Sequence, residues 1–252
     1  MDYAVEAENL RMVYTKDLKV AGSSDEAIRD LSFKVKPQEF VCVVGPSGSG
    51  KTTLIKLLAG INVPTSGKLT VNGRTGVVFQ SPVLLPWRNV LDNILLPVEL
   101  IYDKEEYLQR ARQLLKLVGL ENQEKRYPYQ LSGGQQQRVA ICRALIYNAP
   151  VLLMDEPFSA IDAMLREQLN LEVLRIWEEL KLTVIMATHN LSEAVFLADK
   201  ILVLSGHPAT LLANYEVNLL RPRKLYMMST VEFGKQVNAL RRILGFEGEK
   251  VE

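Results

Sequence analysis

An α/β fold with a mostly parallel sheet and an inserted helical lobe is predicted by three patterns in this chain of 252 residues. Short apolar runs at Phe40 to Val44, Val151 to Met154 and Thr183 to Ala187 are each followed by a small or polar residue and then a helical pattern. Runs of that length without alternation are what strands buried on both faces require, and the helices then cover the sheet. Between Leu91 and Asn148 the pattern becomes helical throughout, so the α/β alternation is interrupted by a lobe.

The first run feeds a Gly-rich turn and then a helix from about Lys51 to Ala59, closed by Gly60 as a left-handed cap. In the lobe, Leu108, Ala111, Leu114, Leu115 and Val118 recur at three- and four-residue steps up to Gly119. A fourth run, Ile201 to Leu204, is expected in the same sheet. After His207-Pro208 the apolar pattern weakens and Arg221-Pro222-Arg223 interrupts any regular element. The expected organisation is one domain over 1–252, with a core at about 1–85 and 150–206, a helical lobe at about 86–149 and an appendage at about 207–252.

Composition narrows the possible partners. With 48% hydrophobic residues and a net charge of +1, the chain has no global field for attracting nucleic acid or an anionic membrane. No apolar stretch approaches the roughly 18 residues of a membrane span. The start, Met1 to Glu6, lacks the pattern of a secretory signal, which points to the cytoplasm. Cys42 and Cys142 have no partner at metal-ligand spacing and read as buried reduced thiols.

Gly45-Pro46-Ser47-Gly48-Ser49-Gly50-Lys51-Thr52 has the spacing of a phosphate-binding loop and lies between a strand and a helix N-terminus. The glycines let backbone amides turn inward, and the helix dipole favours an anion there. Lys51 is placed to reach the β- and γ-phosphates and Thr52 to hold Mg²⁺. At Val151 to Glu156 a strand ends in two carboxylates, whose burial without a cation would be costly. Asp155 suits Mg²⁺, directly or through water, and Glu156 suits orientation and deprotonation of an attacking water. Leu131-Ser132-Gly133-Gly134-Gln135 opens another helix, with Ser132 as its N-cap. That makes a second anion site, and the spacing leaves open whose phosphate it meets.

The phosphate loop, Gln80, Leu131 to Gln135, Asp155-Glu156, Ser159 to Asp162 and His189 occur in the order found in ATP-binding-cassette ATPases, and the chain resembles that family over nearly its whole length. The resemblance implies a phosphate-loop nucleotidase core with a small antiparallel β region, binding ATP and Mg²⁺. It implies nucleotide contacts from Gly45 through Thr53 and from Tyr14, whose ring would stack on adenine; ordinary packing of Tyr14 is the alternative. It further implies that Ser132, Gly133, Gly134 and Gln135 complete the site of a second subunit in trans, and that Asp162 communicates across the dimer. His189 resembles the switch histidine at the γ-phosphate; a satisfied core histidine is the alternative. Gln80 resembles the glutamine that contacts Mg²⁺ and water and links core to lobe.

The sequence departs from the family pattern at Gln38 (commonly Gly), Thr52 (commonly Ser), Asn190 (commonly Asp) and in a short segment from Lys51 to Gln80. The polar stretch from Thr15 to Glu26 is longer than usual, which leaves Tyr3 as a competitor to Tyr14. The segment Val78 to Val90, with Leu85-Pro86-Trp87, is similar to importers of nitrate, sulfonates and taurine, as is the segment from Val203 through Arg223. In such importers Trp87 and Arg88 would line a groove for a helix of the membrane subunit; a core tryptophan is the alternative. The expected partners are a second, identical cassette, integral membrane permease subunits and, indirectly, an extracytoplasmic solute-binding protein, with the chain peripheral on the inner membrane face. A non-transport cassette acting on nucleic acid or ribosomes is the rival reading, and the near-neutral charge weighs against it.

Overall fold

The computed structural model describes residues 3–15, 24–99 and 102–246. The chain divides into two compact units, residues 1–72 with 183–252, and residues 73–182.

The first unit contains strands β1 (Val5–Thr15), β2 (Ser24–Val35), β3 (Phe40–Val44) and β4 (Ser66–Val71), with helix α1 (Lys51–Leu58) between β3 and β4. It resumes with β7 (Thr183–Thr188), α6 (Leu191–Leu197), β8 (Lys200–Leu204), β9 (Leu211–Glu216) and α7 (Val231–Ile243). β3 is the centre of a parallel group: Phe40 to Val44 pair with Val184 to Thr188 of β7, and Val41 to Val44 with Lys200 to Val203 of β8. Every residue of these three strands is buried. Such strands need apolar side chains on both faces, which is why they appear in the sequence as unbroken apolar runs.

β9 lies antiparallel beside β8. Its residues alternate between half-buried and exposed, so only one face needs apolar groups. The weak apolar pattern after His207 therefore hides a strand of this sheet. α7 follows, starting at Thr230, whose hydroxyl accepts from Phe233 N, and burying Phe233, Val237 and Leu240.

A smaller antiparallel sheet in the order β2-β1-β4 completes the first unit, as the resemblance implies. β1 is kinked at Asn9, with φ 48°, where Asn9 N donates to Ser32 Oγ at 2.8 Å and Ser32 Oγ donates to Asn9 Oδ1 at 3.1 Å. A Cβ on Gly67 of β4 would lie 2.3 Å from Asn9 O, so glycine is what lets β4 approach the kink.

The second unit contains β5 (Thr75–Val78), α2 (Val90–Glu99), α3 (Leu108–Leu117), α4 (Gly133–Leu145), β6 (Val151–Asp155) and α5 (Ala163–Leu180), with β5 parallel to β6. Between β5 and β6 the regular elements of the described residues are all helical. The periodic residues Ala111, Leu114, Leu115 and Val118 are buried, and Gly119 takes φ 67° just after α3. Cys42 and Cys142 are buried free thiols. Burial pushes both thiols up, which keeps them protonated and unreactive.

Candidate functional site

In the first unit β3 delivers the chain into the loop Gly45 to Gly50 and α1. Ser49 N donates to Pro46 O at 3.2 Å, which closes the loop on itself. Gly48 and Gly50 hold φ 78° and 79°. A Cβ on Gly50 would lie 2.9 Å from Ala27 O, and one on Gly45 would lie 2.6 Å from Ser49 Oγ. Both glycines therefore answer a steric demand. Gly50 offers α1 no side-chain cap, so the first-turn amides have no intrahelical acceptor and suit an anion.

Lys51 is 5% exposed, and its Nζ donates to Gly45 O at 2.9 Å and Pro46 O at 3.0 Å. The ammonium is thus held against the loop rather than in bulk water. Ser49 Oγ is buried without a hydrogen-bond partner. A cradle with a captive cation and an orphaned buried hydroxyl fits a phosphate group.

Tyr14 ends up beside this helix. Asn62 Nδ2 donates to its hydroxyl at 2.8 Å, and that hydroxyl lies 3.5 Å from Thr53 Oγ1. Tyr3 precedes β1, its carbonyl accepting from Asn72 Nδ2 and its ring centroid lying 4.9 Å from Lys34 Nζ. Of the polar stretch after Tyr14, residues 16–23 lie outside the described residues.

His189 follows β7 and is exposed, which corrects the core-histidine alternative. Its neighbours are fixed on both sides. Thr188 Oγ1 donates to Glu193 Oε2 at 2.6 Å and accepts from Asn190 N at 3.1 Å, while Asn190 Oδ1 accepts from Glu193 N at 3.1 Å and caps α6. An amide oxygen performs this cap as well as a carboxylate. Substituting Asn for Asp therefore costs no local hydrogen bond.

In the second unit β6 ends at Asp155, 7% exposed, and Glu156 follows with φ 44°. A non-glycine residue in that region stores strain of the kind found at functional positions. Ser159 N donates to Glu156 O at 3.2 Å, and Gln80 Nε2 donates to Ser159 Oγ at 3.1 Å. Gln80 and the turn after Glu156 are thereby tied together. Asp162 caps α5 by accepting from Leu165 N at 3.0 Å. Arg166 holds the same turn through Phe158 O and Ile161 O, at 3.2 and 2.7 Å.

Ser132 caps α4 as the sequence predicts. Its Oγ accepts from Gln135 N at 3.3 Å, and Gln135 Oε1 accepts from Ser132 N at 3.0 Å. That reciprocal pair leaves the hydroxyl hydrogen of Ser132 available to an anion. A Cβ on Gly134 would lie 2.9 Å from Leu165 Cδ2, so this glycine allows α4 to approach the start of α5.

Trp87 is 71% exposed and Val83 58%, which rules out core packing for Trp87. The loop that presents them is braced. Asn93, fully buried, accepts from Leu85 N at 2.8 Å and donates to the carbonyls of Leu85, Arg88 and Asn89. Arg143 donates to Val83 O and Pro82 O at 2.8 and 2.7 Å, and Arg88 forms an ion pair with Glu99. Sequence reasoning missed Asn93 and Arg143. The available signal was a lone amide among Val90, Ile94, Leu95 and Val98, which marks a buried polar group with a bonding duty.

The sequence model of the family described as ABC transporter matches residues 28–159. An uncharacterized ABC transporter ATP-binding protein of Methanocaldococcus jannaschii is 41% identical over 246 residues, covering 94% of this chain and 91% of its own length. The taurine import ATP-binding protein TauB of Escherichia coli K12 is 44% identical over 204 residues, covering 77% of this chain and 80% of its own. Among solved structures, a dimeric bacterial ABC transporter cassette is 30% identical with a TM-score of 0.73, over 86% of this chain and 100% of that one. A dimeric post-hydrolysis cassette bound to ADP and Pi is 27% identical with a TM-score of 0.72 and the same coverage.

Proposed function

The chain belongs to the ABC transporter family and is an ATPase of that family, and on that premise we propose that it energises an importer of a small solute of the nitrate, sulfonate or taurine kind. The observation that carries the importer reading is the braced, exposed loop at Trp87, in a chain 44% identical to a taurine import ATP-binding protein.

Lys51, held against the phosphate loop, donates to the β- and γ-phosphates, and the amides of Gly48 to Thr53 receive the remaining oxygens. Tyr14 offers its ring face to adenine. Mg²⁺, when bound with the nucleotide, neutralises charge on the phosphates. Thr52 and Asp155 would hold it, and Gln80 would face its water. The described residues hold no cluster of three His, Cys, Asp or Glu side chains, and a Mg²⁺ site of one carboxylate and one hydroxyl relies on phosphate and water oxygens for the rest.

Glu156 takes the proton of the attacking water and His189 holds the γ-phosphate side of that geometry. Ser132 donates its hydroxyl hydrogen, and Gly133, Gly134 and Gln135 their amide end of α4, to the nucleotide of a second copy. Asp162 sits at that subunit boundary. Two copies thus close on two nucleotides, and the closure drives membrane permease subunits that dock at Trp87. An extracytoplasmic binding protein delivers the solute to them. Among the described residues no helix is long and apolar enough to cross a membrane; on this reading the chain sits at the inner membrane face against permease subunits, as expected of a relative of an import ATP-binding protein.

Purification of the chain from its native cells in mild detergent, with its companions identified by mass spectrometry, tests the importer reading. A polytopic membrane protein is the expected companion. Recovery with ribosomal or nucleic-acid-bound proteins alone would keep the ATPase and overturn the importer.

A further inference from the structure

The helical lobe holds a concavity of about 450 Å³ lined from α3 and α5, which the nucleotide chemistry leaves unused. Arg110, Lys116 and Arg175 give it positive charge, and Leu114, Leu117 and Leu180 give it apolar surface. Glu179 is the acidic group of the lining, so the wall remains net positive.

Arg110 is the unusual member. It is half-buried, and its Nε is shielded from solvent without a hydrogen-bond partner. Burial lowers its pKa, yet a guanidinium stays charged in a protein. A shielded N–H without an acceptor is costly, and a ligand oxygen at that position would supply one. Arg175, by contrast, donates to the carbonyl of Leu117, which ties α5 to the end of α3.

We propose that this concavity binds a small anion through an oxyanion head, a sulfonate, carboxylate or phosphate, received by Arg110 with Lys116 and Arg175. The planar guanidinium fork matches two oxygens of such a head. The leucines cover a short apolar body where the ligand has one, and the volume is that of a small-molecule site.

The test uses the full chain saturated with MgADP, so that the phosphate loop is filled, and titrates it calorimetrically with ethanesulfonate and, separately, inorganic phosphate. Saturable binding at one site per chain is expected. Arg110→Met should weaken it about tenfold, or about 1.4 kcal/mol, and Lys116→Gln should weaken it less, with MgADP affinity unchanged in both. Because the buried Nε of Arg110 has no hydrogen-bond partner among the described residues, Arg110→Met should melt no lower than the parent; Lys116 is exposed, so its variant serves if the first does not fold. Tighter binding of ethanesulfonate points to a sulfonate ligand, and tighter binding of phosphate to a phosphorylated one. Absence of saturable binding by either probe, or binding equal in parent and Arg110→Met, overturns the proposal.

Discussion

Glu156 combines a carboxylate at the end of β6 with a backbone φ of 44°, strain that the turn through Ser159 and Arg166 sustains. Glu156→Gln keeps the shape and removes the proton acceptor. Phosphate release should fall about 10²- to 10⁴-fold while nucleotide binding persists, and undiminished turnover would remove Glu156 from its role. Lys51→Ala should lose nucleotide binding itself. Gln38 is a second strained position, with φ 62° and its N–H donating to Thr183 Oγ1 at 3.0 Å. Relief of left-handed strain is worth roughly 1–2 kcal/mol, partly offset by glycine's added chain entropy of roughly 0.5–1 kcal/mol. Gln38→Gly should therefore raise the denaturant midpoint slightly; a lower midpoint would show that the turn needs a side chain. The loop geometry at Gly50 and Lys51 was legible because a phosphate-binding loop needs a fixed spacing. Asn93 and Arg143 were not, since they bond to carbonyls of a loop whose course no spacing reveals.

Ser132 has two duties within α4, capping the helix through Oγ and, as proposed, donating its hydrogen to a phosphate. Ser132→Ala should cost about 1 kcal/mol of stability and most of the hydrolysis. Ser132→Asp restores the cap but sets a negative charge against the phosphate, so stability should return in urea titrations while hydrolysis does not. Recovery of both would reduce the serine to a cap. On β2, Glu26 accepts from Arg29 and Arg11, and these hydrogen bonds lower its pKa from 4.5 to about 2. A depressed carboxylate contributes stability that is present above its unfolded pKa and lost as pH falls through its folded one. Stability should thus decline from about pH 4.5 toward pH 2, and Glu26→Gln should flatten that part of the profile. Strands β3, β6, β7 and β8 were legible because burial on both faces leaves an unbroken apolar run. β9 was not: its half-buried alternation in Leu211–Glu216 looks like loop.

For the molecule as a whole, the residues proposed for the nucleotide chemistry divide between two compact units: the first has the phosphate loop, Tyr14 and His189, the second Gln80, the Ser132 segment, Asp155, Glu156 and Asp162. The order of these motifs made the family legible without coordinates. Whose phosphate the Ser132 segment meets was not legible, because a capped helix looks the same whether its anion belongs to its own chain or to another. The proposed docking position was read from the segment around Trp87, whereas its exposure and bracing by Asn93 and Arg143 are properties of the folded loop. A Trp87→Ala cassette should keep its ATPase activity as an isolated chain and lose its membrane companion. The central claim is that two copies close on nucleotide, and light scattering of Glu156→Gln with saturating MgATP tests it most directly. The account predicts a doubling of mass that reverses when ATP is removed; a monomer at high protein concentration with nucleotide bound would contradict it.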